Sequence, residues 1–451
     1  MTKFIQDLRF TLRRLRNSSG STFAVVLTLA LLGATAAARR DVASGADAEV
    51  KDFQLQELEA RLKTTPPGYE RDYFSGVLAN REGLTEMSIQ LLESALASIR
   101  KSQPRRAAVA LEALADDYNK SFRYKEAALS DDDLLKNFIS YVDPRKLQGT
   151  KDDAAVMHLL SNAPAQSITW RGPVRLKTER NAINSMNTEL TVNGVREGWL
   201  LDTGANFSVV TKSFAQRLGL TPLPGFAQTT SGITGIENPL QVAVLPTLDM
   251  GGAELHNVVV LVFDDASLKV SLGREAYQIN AIIGYPVFQA LGVITFLHEG
   301  WLEAGEQARR SGNGAHMYMK LLTPVIVCGV EGHDLPFTLD TGASGTSLSV
   351  RYFDRFRADI RSWKRGTNKS SGAGGMVTRN VYLQPRLNLN VGDKIVTLEN
   401  VSVFPRRMGA DLDELYGNLG QDVVAKFASF TLDFSAMTFR LGEPLPDQPA
   451  R

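Results

Sequence analysis

The spacing of hydrophobic residues changes once along the chain. From residue 50 to residue 161, apolar side chains recur at helical spacing, as at Ile89, Leu92, Leu96 and Ile99, which is typical of amphipathic helices. After residue 164, apolar and polar residues alternate, glycine is frequent, and turn pairs such as Asn193-Gly194 appear. We therefore predict a multidomain α+β protein, with an N-terminal α-helical domain at residues 50–163 followed by an all-β body.

The helical domain contains two similar segments. Tyr73 to Leu96 and Ala107 to Leu129 each show a helix, a short break and a second helix, with the breaks at Glu82-Gly83 and Phe122-Arg123. This arrangement resembles tetratricopeptide repeats, a family of helix pairs that bind protein partners. A plain helical bundle that acts as a spacer or prosegment fits the pattern equally well.

The β body contains an internal repeat. Trp199-Leu200-Leu201 leads into Asp202-Thr203-Gly204-Ala205, and Phe337-Thr338-Leu339 leads into Asp340-Thr341-Gly342-Ala343. A later landmark, Ile282-Ile283-Gly284, has its counterpart in Asn418-Leu419-Gly420. Asp340 follows Asp202 by 138 residues and Gly420 follows Gly284 by 136 residues, so the order and spacing are kept. The body is therefore predicted to be two related lobes, residues 165–298 and 315–443, joined by a linker at residues 299–314.

The N-terminus has the order of a targeting segment. A basic stretch precedes an apolar run from Phe23 to Gly33, and small residues follow to Ala38. Residues 1–38 are thus predicted to be either a signal peptide or a membrane anchor. In both cases we expect the body to be exported to the periplasm or the extracellular space.

Composition excludes several classes of function. The chain has 50 Lys and Arg against 49 Asp and Glu, so its net charge of +1 gives no reason to expect nucleic acid. A lone cysteine, Cys328, excludes intrachain disulfides and cysteine-based metal clusters, and the five scattered histidines lack ligand spacing. We predict no metal and no cofactor.

The duplicated aspartates suit the hydrolysis of a peptide bond. Two carboxyl groups about 3 Å apart cannot both ionise easily, so one serves as base towards water while the other serves as acid. Gly204 and Gly342 allow each aspartate to be presented on a tight turn. Thr203 and Thr341 each offer a hydroxyl that can bond to the opposing loop.

These motifs identify a family resemblance. Asp-Thr-Gly-Ala in both lobes, each followed about 80 residues later by Gly284 or Gly420, resembles the pepsin and retroviral protease superfamily, most closely the retropepsin-like domains of bacteria. The resemblance implies a two-lobed acid-protease fold, catalytic roles for Asp202 and Asp340, and closing glycines that pack behind the aspartate loops. It also implies a polypeptide substrate.

Two departures from the family pattern modify this expectation. Ala205 and Ala343 stand where pepsin-like enzymes carry serine, and loss of a hydroxyl donor predicts raised pKa values and a mildly acidic to near-neutral optimum. Asn418 replaces an apolar residue in the second closing motif. Glycine-rich stretches at residues 229–235 and 370–376 are candidate flaps.

The alternative to an aspartic endopeptidase is an inactive scaffold that binds peptides or proteins, with the helical domain recruiting a partner.

Overall fold

The computed structural model describes residues 45–272 and 274–446. The predicted signal peptide or anchor at residues 1–38 therefore lies outside the described residues. The chain divides into two compact units, one up to Phe74 and one from Ser75 onward. Within the described ranges, no helix has both the length and the apolar character needed to cross a membrane.

The described chain is helical up to residue 160. Residues 45–51 are helical, and in this first unit the guanidinium of Arg61 pairs with the carboxylate of Glu49. The helices that follow are α1 (Leu55–Leu62), α2 (Tyr69–Arg81), α3 (Thr85–Ile99), α4 (Pro104–Lys120), α5 (Tyr124–Asn137) and α6 (Leu147–Leu160). Strands dominate after residue 166, so the predicted order of a helical part followed by a mostly β body is confirmed.

Helices α2 to α5 form two helix–turn–helix pairs, and both breaks lie where the sequence predicted them. Gly83 ends the first helix of one pair with φ 68°, and Phe122 ends the first helix of the other with φ 59°. A left-handed residue at this position stops a helix and reverses the chain. Membership in the tetratricopeptide repeat family stays a prediction.

The first lobe is built from antiparallel hairpins and two short parallel pairings. Its strands are β1 (Ser167–Trp170), β2 (Val174–Arg180), β3 (Met186–Val192), β4 (Val195–Leu201), β5 (Ser208–Thr211), β6 (Ala227–Thr230), β7 (Glu237–Asp249), β8 (Ala253–Phe263), β9 (Lys269–Leu272), β10 (Glu275–Gln278), β11 (Ala281–Ile283), β12 (Val293–Leu297) and β13 (Trp301–Ala304). The parallel pairings are β4 with β11 and β5 with β8. Two short helices, α7 (Lys212–Arg217) and α8 (Tyr285–Leu291), pack on the strands.

The second lobe has the same kinds of element. Its strands are β14 (Ala315–Lys320), β15 (Thr323–Val330), β16 (His333–Leu339), β17 (Ser347–Leu348), β18 (Arg365–Gly372), β19 (Gly375–Val391), β20 (Lys394–Val403), β21 (Gly417–Leu419), β22 (Ser429–Asp433) and β23 (Thr438–Leu441). Its helices are α9 (Val350–Arg355), α10 (Arg357–Ile360), α11 (Ala410–Asp413) and α12 (Gln421–Val424).

The order of strand pairings is the same in both lobes. The hairpin β3–β4 corresponds to β15–β16, and the parallel pairing of β4 with β11 corresponds to that of β16 with β21. The pairings of β5 with β11 and β8 have counterparts in those of β17 with β21 and β20. The hairpin β6–β7 likewise corresponds to β18–β19.

A six-stranded antiparallel sheet joins the lobes in the order β2-β13-β12-β22-β23-β14. At its centre, Phe296 stacks on Phe430 with ring centroids 4.5 Å apart, and the hydroxyls of Thr295 and Thr431 lie 2.6 Å apart. The predicted linker at residues 299–314 contributes β13 to this sheet. The segment that connects the lobes is therefore part of the sheet that both lobes share.

Candidate active site

Asp202 and Asp340 lie at equivalent points, directly after the last residues of β4 and β16. Each of these strands is flanked on both sides, by β3 and β11 in the first lobe and by β15 and β21 in the second. The N–H of Asp202 donates to the Ile283 carbonyl at 3.1 Å, and that of Asp340 donates to the Leu419 carbonyl at 3.0 Å. The closing strands thus fix the backbone of both aspartates.

Four hydrogen bonds connect the two aspartate loops. The hydroxyl of Thr203 donates to the Leu339 carbonyl at 2.9 Å and accepts from the N–H of Thr341 at 3.0 Å. The hydroxyl of Thr341 donates to the Leu201 carbonyl at 2.8 Å and accepts from the N–H of Thr203 at 3.0 Å. Both threonines are buried, so the exchange holds the loops in register without competition from water.

Each motif glycine lies against the carboxyl group of the opposite lobe. A Cβ on Gly342 would lie 2.5 Å from the carboxyl carbon of Asp202, and one on Gly204 would lie 2.8 Å from that of Asp340. These distances are far below normal contact, so a side chain at either position would displace a carboxyl group. The reciprocal contact shows that the two carboxyl groups face each other across the lobe boundary.

The closing glycines pack behind the aspartate loops, as the family resemblance implied. A Cβ on Gly284 would lie 2.4 Å from the Phe207 backbone, and one on Gly420 would lie 2.5 Å from the Gly345 backbone. Only a glycine fits where two backbones approach this closely. The loops that carry the aspartates are thus supported from behind in both lobes.

The electrostatics of the pair favour a protonated Asp202. Burial raises the pKa of the Asp202 carboxyl well above its usual range, and the neighbouring charge of Asp340 raises it further. The N–H of Gly204, which donates to Oδ1 of Asp202 at 2.8 Å, acts in the opposite direction. The sequence predicted a raised pKa from the absent hydroxyls at Ala205 and Ala343, whereas burial is the first cause in the structure.

The sequence reasoning missed a polar support that exists in the second lobe. Nδ2 of Asn418 donates to Oδ2 of Asp340 at 3.0 Å, while the N–H of Ala343 donates to its Oδ1 at 2.9 Å. Nε2 of Gln421 also donates to the Thr341 carbonyl at 2.6 Å. The available signal was the polar Asn418 itself, at a position where the first lobe has Ile282.

The two predicted flaps are the hairpins β6–β7 and β18–β19, and their tips meet. The hydroxyl of Thr234 donates to the Ala373 carbonyl at 3.1 Å, and the guanidinium of Arg379 donates to the Ile233 carbonyl at 2.6 Å. The second hairpin also contacts the first lobe, because the N–H of Gly374 donates to the Ser267 carbonyl at 2.9 Å.

Helix α6 supports the base of the first flap. The buried carboxylate of Asp152 accepts hydrogen bonds from Nε2 of Gln228 at 3.1 Å and from the hydroxyl of Thr230 at 3.2 Å, both on β6. Gln148, one turn earlier on α6, holds the same carboxylate at 2.8 Å. The helical part therefore contacts the hairpin β6–β7 of the β body directly.

No group of three His, Cys, Asp or Glu residues in the described part of the chain is arranged to hold a metal ion. Cys328 is buried on β15, where burial raises the pKa of its thiol above the usual range. A neutral, enclosed thiol is a poor nucleophile.

A comparison with protein families finds a match within the first lobe. Residues 188–287 match the family model of aspartyl proteases, whereas no curated protein matches the chain. Among solved structures, the chain is similar to a retropepsin-like aspartic protease from Rickettsia conorii, with 19% identity over 31% of this chain and 90% of that chain and a TM-score of 0.21. The matched range includes Asp202, Thr203, Gly204 and Gly284, and the chain therefore contains an aspartyl protease domain.

Proposed function

We propose that this protein is an aspartic endopeptidase in which Asp202 and Asp340 together activate one water molecule. The observation that carries the proposal is the reciprocal contact of each motif glycine with the opposite carboxyl group. This contact supports a dyad assembled from two lobes of one chain. The raised pKa of Asp202 supports a pair that shares one proton.

The hydrolysis proceeds by exchange of protons between the dyad and the substrate. The ionised carboxylate takes a proton from water as the water oxygen bonds to the peptide carbon, and the protonated carboxyl gives its proton to the carbonyl oxygen. The tetrahedral diol then returns a hydroxyl proton to one carboxylate while the other carboxyl protonates the nitrogen, and the C–N bond breaks. One water is consumed, a carboxylic acid and an amine leave, and the dyad regains its single proton.

The proposed substrate is a polypeptide in extended conformation, bound between the flaps and the dyad. Flap hairpins and the sheet beneath them offer main-chain donors and acceptors to such a strand. Contact between Thr234 and the Ala373 carbonyl would have to open for the chain to enter. Because the two flap hairpins can cover an internal segment of a substrate chain, this arrangement fits cleavage within the chain and not at its end.

We also propose that the protein is exported and that its helical part binds a protein partner. The basic and apolar order of residues 1–38 supports export, with the segment either cleaved or kept as an anchor. The helix pairs α2–α3 and α4–α5 offer a surface for a protein partner. Cell fractionation with N-terminal sequencing of the mature protein tests the first proposal, and recovery of an intact precursor in the cytoplasm would contradict it.

Cleavage of a diverse peptide library by the purified protein tests the activity. We expect hydrolysis between about pH 3 and pH 8 that a statine-type inhibitor blocks, and loss of hydrolysis in Asp202→Asn and Asp340→Asn. The matched control is Asp393→Asn, which changes an exposed aspartate in the turn between β19 and β20. Absence of cleavage throughout this range, or cleavage that survives in both dyad variants, would refute the proposal.

A further inference from the structure

We infer that Asn418 makes the two aspartates unequal, fixing the negative charge of the pair on Asp340 and leaving the shared proton on Asp202. This inference rests on the proposed function and deepens it by assigning the base and the acid. In this assignment Asp340 takes the proton from water, and Asp202 protonates the carbonyl oxygen of the substrate.

The orientation of the Asn418 amide is set by Thr338. The hydroxyl of Thr338 donates to Oδ1 of Asn418 at 2.6 Å, which leaves Nδ2 to face Oδ2 of Asp340 at 3.0 Å. A hydrogen bond from a neutral donor to a carboxylate stabilises the charged form more than the neutral form. The pair Thr338–Asn418 therefore supplies a fixed donor for negative charge on Asp340.

The first lobe has no such donor at the equivalent positions. Thr338 and Asn418 are register partners on β16 and β21, and the same register on β4 and β11 joins Leu200 and Ile282. Both of these residues are apolar and buried. Asp202 therefore faces a closing strand that cannot stabilise its charge, and burial raises its pKa.

Other ionisable groups around the pair do not supply this asymmetry. Asp422 lies behind the Asp340 loop, where its carboxylate accepts from the N–H of Thr346 at 2.9 Å and from the Thr346 hydroxyl at 2.6 Å. Tyr285, behind the Asp202 loop, is buried against Phe434, and burial raises the pKa of its phenol. The phenol of Tyr285 is thus neutral at physiological pH, and the carboxyl group of Asp422 is bonded to Thr346. The amide of Asn418 is thus the side-chain donor that distinguishes one aspartate from the other in the described lobes.

The test is the pH profile of kcat/KM for Asn418→Leu, a change that removes the donor at similar volume. We expect the acidic limb to move to higher pH by about one to two units, with activity near the optimum much less affected. Thr338→Val should move the limb in the same direction by less, and Thr338→Ser should restore the position of wild type. Ile282→Val, at the matched position of the first lobe, should leave the limb where wild type has it.

A second measurement needs no turnover. Because the Asn418 amide stabilises a charged Asp340 more than a neutral one, the difference in Tm between wild type and Asn418→Leu should grow as pH rises through the first ionisation of the pair. An unshifted acidic limb, or a Tm difference that is the same from pH 3 to pH 8, would overturn the inference and leave Asn418 as a packing residue. Absence of hydrolysis by wild type would instead refute the proposed function, and the Tm measurement would still decide the role of Asn418.

Discussion

Replacing Thr203 by valine tests whether the threonine exchange holds the lobes together. Valine keeps the branched shape but can neither donate to the Leu339 carbonyl nor accept from the N–H of Thr341. A buried polar group that loses its partner costs about 1–3 kcal/mol. Two such groups lose their partner here, so we expect Thr203→Val to lower the free energy of unfolding by about 2–6 kcal/mol.

The loss of activity should exceed what the loss of stability explains. Under conditions where Thr203→Val is still folded, a shift of one aspartate loop by about 1 Å should reduce kcat by about 100-fold. Urea unfolding followed by tryptophan fluorescence measures the stability, and Trp199, buried on β4 three residues before Asp202, reports on this region. Cleavage of a peptide substrate measures the activity.

Two further variants make the result interpretable. Thr203→Ser keeps the hydroxyl and should retain most of the stability and activity, whereas Thr191→Val changes an exposed threonine on β3 and should have little effect. The double variant Thr203→Val with Thr341→Val should lower the free energy of unfolding by less than the sum of the two single changes. The reason is that loops already displaced by one change cannot lose the same contacts again. A Thr203→Val protein within about 0.5 kcal/mol of wild type would refute this account of the interface.

Three further changes test other features of the site. Gly342→Ala places a Cβ 2.5 Å from the carboxyl carbon of Asp202, so peptide cleavage should fall by about 100-fold. Asp202→Asn should raise Tm by an amount that grows as pH rises above about 4, because the raised pKa of Asp202 means that the folded state holds a proton which the unfolded state has released. Asp152→Ala removes the acceptor of Gln228 and Thr230, so hydrogen exchange should accelerate in residues 227–240.

Each of these changes has a control and a contradicting outcome. Gly149→Ala adds a methyl group where nothing lies within 4 Å, and equal activity of both alanine variants would contradict the steric account. Asp393→Asn should leave the pH dependence of Tm as in wild type, and a flat pH dependence of the gain in Asp202→Asn would show that the pKa of Asp202 is not raised. Asp152→Asn keeps an acceptor oxygen, and unchanged exchange in Asp152→Ala would show that α6 does not restrain the flap.

The sequence predicted those features that depend on local order. Hydrophobic spacing placed the helical part and the β body, and the positions around Gly83 and Phe122 marked the ends of helices. The repeated motif predicted equivalent positions for Asp202 and Asp340, because a duplicated motif implies equivalent places in two folded units. Its glycines are a local requirement of a tight turn. The hydroxyls of Thr203 and Thr341 bond to the opposing loop, 136 and 140 residues away, and the duplication of the motif is what predicted these bonds.

Features that depend on distant contacts were not predictable in this way. Asn418 follows Asp340 by 78 residues, and only the parallel pairing of β21 with β16 brings its amide to the carboxylate. The contact of Asp152 with Gln228 likewise spans 76 residues between a helix and a strand of different parts of the chain. Within residues 299–314, the predicted linker, the strand Trp301–Ala304 pairs with β2, which lies more than 100 residues earlier. Periodicity records which face of a strand is apolar, and it does not record which strand will lie beside it.

The joining sheet also determines how the activity would respond to dilution. Strand β12 pairs with β22 along its whole length, so a first lobe produced alone would expose a row of unpaired backbone groups. That edge could pair with the same edge of another copy of the first lobe. Such a dimer would form in a second-order reaction, so its amount would depend on the protein concentration. In the intact chain the two edges are tethered, so their association is unimolecular and the specific activity should not fall as the protein is diluted. The tether also frees the two halves from having to be identical, which is the condition under which one half can carry Asn418 while the other keeps Ile282.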